Sequence, residues 1–426
     1  MNVVARALAV FVILSMTGSL VSADNAPKTA AQTGFGQGHP PKRLVDISQW
    51  DKGEDARWAF QHISEFLPTA NITRGSGMPY VLDRAPKSLG GVSFKTYEGR
   101  DMTIEQLLME TYTDGFLVMQ DGAIVYEKYF NGMKPTTRHL IMSTSKSVTA
   151  TLAGILVNDG RLDPDKLVIE YIPEMKDSEG FADTTVRHVL DMTTSIIFSE
   201  DYADPKSEVV AHEEASGWRG DTPLAREGLY AYMPTIRKDA SREHGQKFHY
   251  ASINADVMGW IIERASGQRF HEFMEQELWS KLGAEHDAEI AVAYDGAATA
   301  TGGMCFTLRD FGRFGQMMLD DGHYNGHQII PSGWVDDTRY RGNNAAWTKF
   351  DKIWPKGWYR NMWYVTNDEQ GSYFAVGVNG QNLWINPATR VVIVKLSSTP
   401  VSSDPSMQFP SWAGMDAIAR YLGTAK

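Results

Sequence analysis

Strand-forming segments lie towards the two ends of this chain, and its middle has a different pattern. Residues 116–130, FLVMQDGAIVYEKYF, contain two β-rich runs around Asp121-Gly122, a dipeptide typical of hairpin turns. Further strands are predicted near the carboxyl end by RNMWYV, YFAVGVNGQNLWINP and TRVVIVKLSS. From about residue 158 to 296 the apolar residues recur at helical intervals or without a period. We therefore expect an α/β (α+β) fold, in which both ends form one antiparallel sheet flanked by helices and a mostly helical region is inserted between them.

The amino end predicts a protein that leaves the cytoplasm. One arginine, an apolar run and the small-x-small end Val21-Ser22-Ala23 are typical of a cleaved signal peptide. A retained membrane anchor is the weaker interpretation, because the apolar run is shorter than the roughly 20 residues that span a bilayer. Residues 24–46 have a composition typical of a flexible leader. The predicted segments are the signal peptide 1–23, an N-terminal extension 24–95, a sheet domain 96–158 plus 297–426, and a helical insert domain 159–296.

Charge and cysteine content limit the class of protein. A formal net charge of −11 argues against nucleic acid or an anionic membrane as partner, so after signal cleavage we expect a small-molecule substrate. Cys305 is the only cysteine, so no internal disulfide can form. Its apolar neighbours in TGGMCFTL predict a small buried side chain and not a catalytic thiol. We expect a periplasmic or secreted bacterial protein; the sequence does not predict its oligomeric state.

The stretch IMSTSKSVTATLAGIL, residues 141–156, contains the only Ser-x-x-Lys of the chain. An apolar face predicts a helix that ends at Asp159-Gly160, with its members at Val148, Leu152, Ile155 and Leu156. Ser143 then lies at or just before the first turn, and Lys146 lies on the same side of the helix. A lysine that has lost its charge can take the serine proton, and the helix N-terminus favours an oxyanion. A hydroxyl-rich helix cap beside a solvated lysine is the alternative interpretation of this motif.

Ser143-Thr144-Ser145-Lys146 followed by an apolar helix resembles the first motif of the serine β-lactamase and penicillin-recognising superfamily, particularly its class C branch. A second motif of that branch is matched by Tyr250-Ala251-Ser252, which again precedes an apolar helix. The resemblance spans roughly residues 110 to 400. It implies that Ser143 is the nucleophile, that Lys146 and Tyr250 handle its proton, and that Ser252 lies at the substrate site. Which of Lys146 and Tyr250 is deprotonated at rest stays open.

The third motif of the superfamily, Lys-Thr-Gly, is best matched by residues 374–384, FAVGVNGQNLW, which contain no lysine. If Gly377 replaces the motif glycine, the resemblance implies that the Val378 N–H is the second oxyanion donor beside that of Ser143. It also implies that Asn379 faces the cleft and contacts substrate. The missing lysine weakens the assignment as a β-lactamase or carboxypeptidase, because that group helps to hold the substrate carboxylate.

Among superfamily members, the 6-aminohexanoate-dimer (nylon-oligomer) hydrolases are most similar, in the glycine-rich third motif, LWINP, TGGMCFTLRDFGRFG and an Asp-Tyr pair. That pair is Asp201-Tyr202 in FSEDYADP. The resemblance implies that Tyr202 lies on a loop over the cleft and hydrogen-bonds the amide nitrogen of the substrate. A tyrosine that merely packs in an acidic surface loop is the alternative.

Other candidate residues have structural interpretations. Thr307 and Asp310 begin an amphipathic helix and are expected to cap it. The histidines form no zinc-binding motif, so we expect no metal and no cofactor. The sequence thus predicts a serine hydrolase that cleaves a small amide or ester through an acyl-enzyme. The alternatives are a carboxylesterase, a β-lactamase or D-amino-acid peptidase, and a non-catalytic sensor of the penicillin-binding type.

Overall fold

The computed structural model describes residues 45–424, which fall within one compact unit. The predicted signal peptide 1–23 and residues 24–44 of the predicted leader lie outside the described residues. The boundaries of the sheet domain and the helical insert at residues 159 and 297 stay a prediction. No helix in the described range combines the length and the apolar character needed to cross a membrane.

The strands in chain order are β1 Thr69–Ile72, β2 Ser93–Lys95, β3 Asp101–Thr103, β4 Thr113–Gln120, β5 Ala123–Tyr129, β6 Arg138–Leu140, β7 Ala288–Ala291, β8 Met304–Thr307, β9 His323–Tyr324, β10 His327–Gln328, β11 Trp358–Arg360, β12 Trp363–Val365, β13 Tyr373–Gly377, β14 Gln381–Asn386 and β15 Val391–Ser397. The α-helices are α1 Gly53–Ala59, α2 Ile104–Glu110, α3 Thr144–Asn158, α4 Val168–Tyr171, α5 Val186–Leu190, α6 Glu208–Ala215, α7 Pro223–Glu227, α8 Leu229–Tyr232, α9 Ile253–Ser266, α10 Phe270–Met274, α11 Leu308–Leu319, α12 Ser332–Tyr340 and α13 Pro405–Thr424.

The main sheet of the described residues has seven antiparallel strands in the order β11-β12-β13-β14-β15-β4-β5. The predicted sheet built from both ends of the chain is therefore confirmed. Its centre is closed off from solvent, since every residue of β4, β14 and β15 is buried. The β4–β5 hairpin turns at Asp121 and Gly122, whose φ angles of 50° and 85° explain the preference for this dipeptide.

A second hairpin was not predicted. The run YFAVGVNGQNLWINP was expected to form one strand, but it forms β13 and β14, which pair antiparallel from Gly377–Gln381 outwards. A 3₁₀ turn joins them at Val378–Gly380, where Asn379 and Gly380 have φ angles of 58° and 91°. The single-strand prediction was wrong because Asn-Gly is itself a hairpin signal.

Helix α3 lies between the sheet and the helical region. It packs against α9 on one side and against β13 on the other. It begins after Ser143 and ends with Asp159 as its C-cap, followed by Gly160 at a φ of 70°, as the sequence predicts. Its residues from Thr144 to Leu156 are all buried. This arrangement brings the N-terminus of α3 to the junction of the helices and the sheet.

A buried ion-pair network anchors α11. The Thr307 hydroxyl accepts from the Asp310 N–H, so the predicted cap is confirmed. Asp310 accepts hydrogen bonds from the backbone N–H groups of Glu285 and His286, at 2.7 and 3.1 Å. Its carboxylate also lies 3.0 Å from the guanidinium of Arg313, and both side chains are fully buried.

Replacing Asp310 by alanine is expected to lower the free energy of unfolding by about 3–5 kcal/mol, because it leaves the buried Arg313 without one of its counterions. Urea unfolding measures the change. The control is Asp321→Ala, which removes a half-exposed partner 3.3 Å from Arg339 and is expected to cost at most about 1 kcal/mol. Equal effects of the two substitutions would contradict a structural role for the buried pair.

Candidate active site

Ser143 lies at the N-terminus of α3, and its hydroxyl is not used to cap the helix. The residue before it, Met142, has a φ of 47°, a left-handed conformation that is uncommon outside glycine and recurs at functional sites. The Lys146 amine lies 2.8 Å from Ser143 Oγ and donates to the Thr301 carbonyl oxygen at 2.8 Å. Because Lys146 is only 1 % exposed, the alternative of a helix cap beside a solvated lysine does not describe this site.

The surroundings of Lys146 favour its neutral form. Burial lowers its pKa to about 8, against the opposing charges of Glu200 and Asp256, and the nearby cation of Lys349 lowers it further. An amine with this pKa is partly uncharged near neutral pH. The geometry and the pKa together equip Lys146 to accept a proton from Ser143.

Tyr250 completes the group that the sequence predicts. It lies just before α9, which begins at Ile253 and ends at Gly267, whose left-handed φ of 73° caps the helix. The Tyr250 side chain interacts with that of Ser143, and this interaction partly opposes the rise of the Tyr250 pKa. The Lys146 amine lies 5.3 Å from the centroid of the Tyr250 ring. Burial and the charge of Glu200 raise the Tyr250 pKa, so its hydroxyl stays protonated where Lys146 titrates.

The β13–β14 turn lies against the nucleophile. A Cβ placed on Gly377 would be 2.9 Å from the Ile141 oxygen and 3.0 Å from the Met142 Cβ, so only glycine allows this close approach. Val378 follows immediately and lines the same two cavities as Ser143. Val378 is thus at the site, and its role as the second oxyanion donor, which the family resemblance implies, stays a prediction.

Asn379, in contrast, is not brought to the cleft. Its left-handed backbone turns the side chain inwards, where its amide donates to the carbonyl oxygens of Asp51 at 3.1 Å and Thr399 at 2.7 Å. The side chain is fully buried. These contacts hold the turn together and leave its amide group unable to reach a substrate.

Ser252 and Tyr202 both line the cleft, and Glu200 joins them. The Glu200 carboxylate accepts from the Ser252 N–H at 2.5 Å, from the Ser252 hydroxyl at 3.1 Å and from the Tyr202 hydroxyl at 3.0 Å. Asp201, the other member of the Asp-Tyr pair, is exposed. Because the Tyr202 hydroxyl donates to Glu200, its oxygen lone pairs can accept from a substrate N–H.

The sequence did not predict a second group of charged residues beside Ser143, separate from the Glu200 contacts. Asp51 and Glu213 line the smaller of the two cavities that Ser143 also lines. The guanidinium of Arg219 lies 2.6 Å from Asp51 and 2.5 Å from Glu213. Burial raises the Glu213 pKa to about 7 against the attraction of Arg219. No sequence pattern could indicate this ionic group, because Asp51 and Arg219 are 168 positions apart in the chain.

Residues 103–410 match the family model described as beta-lactamase. The chain belongs to the β-lactamase family. A 6-aminohexanoate-dimer hydrolase of Paenarthrobacter ureafaciens is 39% identical over 373 residues, which cover 87% of this chain and 91% of that protein. Together with the family match, this relative identifies the protein as a serine hydrolase.

Solved structures of the β-lactamase family share this architecture. A Bacillus anthracis structure, described provisionally as a 6-aminohexanoate-dimer hydrolase, has a TM-score of 0.80 at 27% identity and covers 91% of this chain and 99% of its own. A class C β-lactamase variant has a TM-score of 0.53 at 15% identity and covers 74% and 95%. At that identity the likeness shows the shared fold alone. The predicted fold class and superfamily are therefore confirmed.

Proposed function

We propose that this β-lactamase-family protein hydrolyses a linear amide through an acyl-enzyme on Ser143. The observation that carries the proposal is the 2.8 Å contact between Ser143 Oγ and the amine of the buried Lys146. A serine hydroxyl needs a base at this distance, and a lysine whose pKa burial lowers to about 8 supplies one.

The proposed reaction has two halves. Neutral Lys146 takes the Ser143 proton while Oγ attacks the substrate carbonyl, and the N–H groups of Ser143 and Val378 stabilise the oxyanion. Tyr250, which stays protonated, donates its proton to the leaving amine as the C–N bond breaks, and the charged Lys146 restores the Tyr250 proton. In the second half, water attacks the ester carbonyl and gives its proton to neutral Lys146. The bond between the acyl carbon and Ser143 Oγ then breaks, and the charged Lys146 returns a proton to Oγ, which releases the acid and restores the free serine and the neutral lysine.

The charges around Ser143 support a substrate with unlike ends. Asp51 and Glu213 set two acidic groups against one arginine in the smaller cavity, which suits an acyl half that ends in an ammonium group when Glu213 is ionised. The 39% identical relative is named for the 6-aminohexanoate dimer, a linear amide with an amine at one end. We therefore choose this dimer as the first substrate to test.

The deciding experiment incubates purified protein with the linear 6-aminohexanoate dimer, a short-chain p-nitrophenyl ester and a penicillin, with Ser143→Ala as the blank. Release of 6-aminohexanoate that depends on Ser143 supports the proposal. Cleavage of the ester alone would make the protein a carboxylesterase. Rapid cleavage of the penicillin without cleavage of the dimer would make it a β-lactamase.

We expect Tyr202 to contribute to the turnover of amides much more than to the turnover of esters. In Tyr202→Phe we expect amide turnover to fall roughly 10-fold, the worth of one hydrogen bond from the substrate N–H to the tyrosine oxygen. Ester turnover is expected to change much less, because an ester has no N–H. The ratio of kcat/KM for the two substrates measures the effect, and Tyr340→Phe, which alters an exposed hydroxyl, is the control. An equal loss with both substrates would assign Tyr202 to loop packing.

A further inference from the structure

We propose that Lys349 binds a carboxylate on the leaving-group side of the substrate. The inference rests on the proposed function, because it names the part of the substrate that leaves Ser143. It assigns this role to a loop between α12 and β11 that none of the three family motifs includes.

Lys349 and Ser143 both line a groove of about 310 Å³, and because Lys349 is exposed it lies at the mouth of this groove. Its amine lies 4.4 Å from the centroid of the Tyr250 ring, the same ring that the Lys146 amine approaches at 5.3 Å. The two amines thus share one aromatic ring, and among the described residues that line this groove Lys349 is the only lysine or arginine.

The Lys349 amine lacks a counterion in the part of the chain that the structure describes. It lies 4.4 Å from the centroid of the Tyr250 ring and 5.6 Å from that of Phe350, and it forms no ion pair with a carboxylate of the described residues. Glu200 also lines the groove and attracts the amine from a distance, but its oxygens are occupied by Ser252 and Tyr202. A cation that is held over ring faces at a groove mouth without a partner is suited to bind an anion that arrives with the substrate.

The walls of the groove fit an alkyl chain that ends in a charge. Phe350, Tyr364, Val376 and Phe409 line it with apolar surface. Methylene groups would pack along this surface, and a terminal carboxylate would meet Lys349 at the mouth. The third motif of this protein has no lysine, so the cation for a substrate carboxylate comes from a different element.

The test compares two substrates that differ only at this carboxylate. They are the linear 6-aminohexanoate dimer and the same dimer with a terminal carboxamide. In Lys349→Gln we expect the ratio of kcat/KM for carboxylate over carboxamide to fall roughly 10-fold, the usual worth of a hydrogen bond to a charged group. In Lys349→Glu the ratio is expected to fall further, because like charges repel.

Comparing the two substrates as a ratio of kcat/KM cancels a second effect of Lys349→Gln, its effect on the Lys146 pKa. Lys349 also lowers the Lys146 pKa, so its loss changes the rate with every substrate at a given pH. That change acts on the activation of Ser143 and cancels in the ratio. Lys352→Gln, which removes an exposed lysine of the same loop, is expected to keep the wild-type ratio.

A parallel pair of esters keeps the inference testable if the enzyme cleaves no amide. 4-Carboxyphenyl acetate and 4-carbamoylphenyl acetate carry the same distinction in the leaving group. A lowered ratio with the esters, without any amide cleavage, would support the role of Lys349 and overturn the proposed amide substrate. A Lys349→Gln ratio within about twofold of the wild-type ratio, for every pair that is cleaved, would overturn the inference.

Discussion

Ser143→Ala is expected to lower the turnover of every substrate by at least about 10⁴-fold, because covalent catalysis loses its nucleophile. The folded protein is expected to survive the change. The Ser143 hydroxyl does not cap α3, and its hydrogen bond is with Lys146, a member of the same catalytic group. Rates with the dimer and the ester, together with the thermal unfolding midpoint, measure the two expectations.

Ser147→Ala is the matched control for this substitution. Ser147 lies on the same helix and is also buried, but its hydroxyl donates to the Met362 carbonyl oxygen at 2.7 Å, away from the cleft. We expect it to lower stability by about 1–3 kcal/mol, because an acceptor is left unpaired, while turnover stays near the wild-type value. Turnover that persists in Ser143→Ala but is lost in Ser147→Ala would refute the assignment of the nucleophile.

The sequence predicts the catalytic group well because its members follow local rules. Ser143 and Lys146 are three residues apart on one helix, and helical geometry alone puts them on the same side. Tyr250 needed the family resemblance, since no local pattern places it beside a helix that begins about a hundred residues earlier. The sheet was predictable because alternating and β-branched runs at both ends have few other ways to bury their apolar faces.

The residues that sequence reasoning missed are brought together only by the fold. Asp51 reaches the site because the neighbouring Trp50 packs against Trp218 and donates a hydrogen bond to its carbonyl oxygen. Arg219, which forms an ion pair with Asp51, lies far from it in the sequence. Lys349 lies in an irregular loop whose path has no period. Asn379 was placed in the cleft by resemblance, but the left-handed turn that it enables also rotates its side chain into the interior. Such orientations depend on backbone angles that residue spacing does not specify.

The second large effect is expected for Lys146→Met, which removes the amine and keeps much of the side-chain length. We expect kcat/KM to fall by about 10²–10⁴-fold, the usual worth of a positioned general base. The apolar side chain suits a site that is 1 % exposed, so the variant is expected to fold. Lys146→Arg is the companion variant, because arginine keeps the positive charge but cannot accept a proton at working pH.

The pH profile shows which form of Lys146 acts. A base must be neutral, and burial lowers the Lys146 pKa to about 8, so wild-type kcat/KM is expected to rise about tenfold per pH unit below this value and to level off above it. The rise is expected to disappear in Lys146→Met. The raised pKa of Tyr250 keeps its hydroxyl protonated through this range, so Tyr250 does not account for the rise. A profile that falls as pH increases through 8 would instead require the charged lysine, and the roles of base and acid would then pass to Tyr250 and Lys146 respectively.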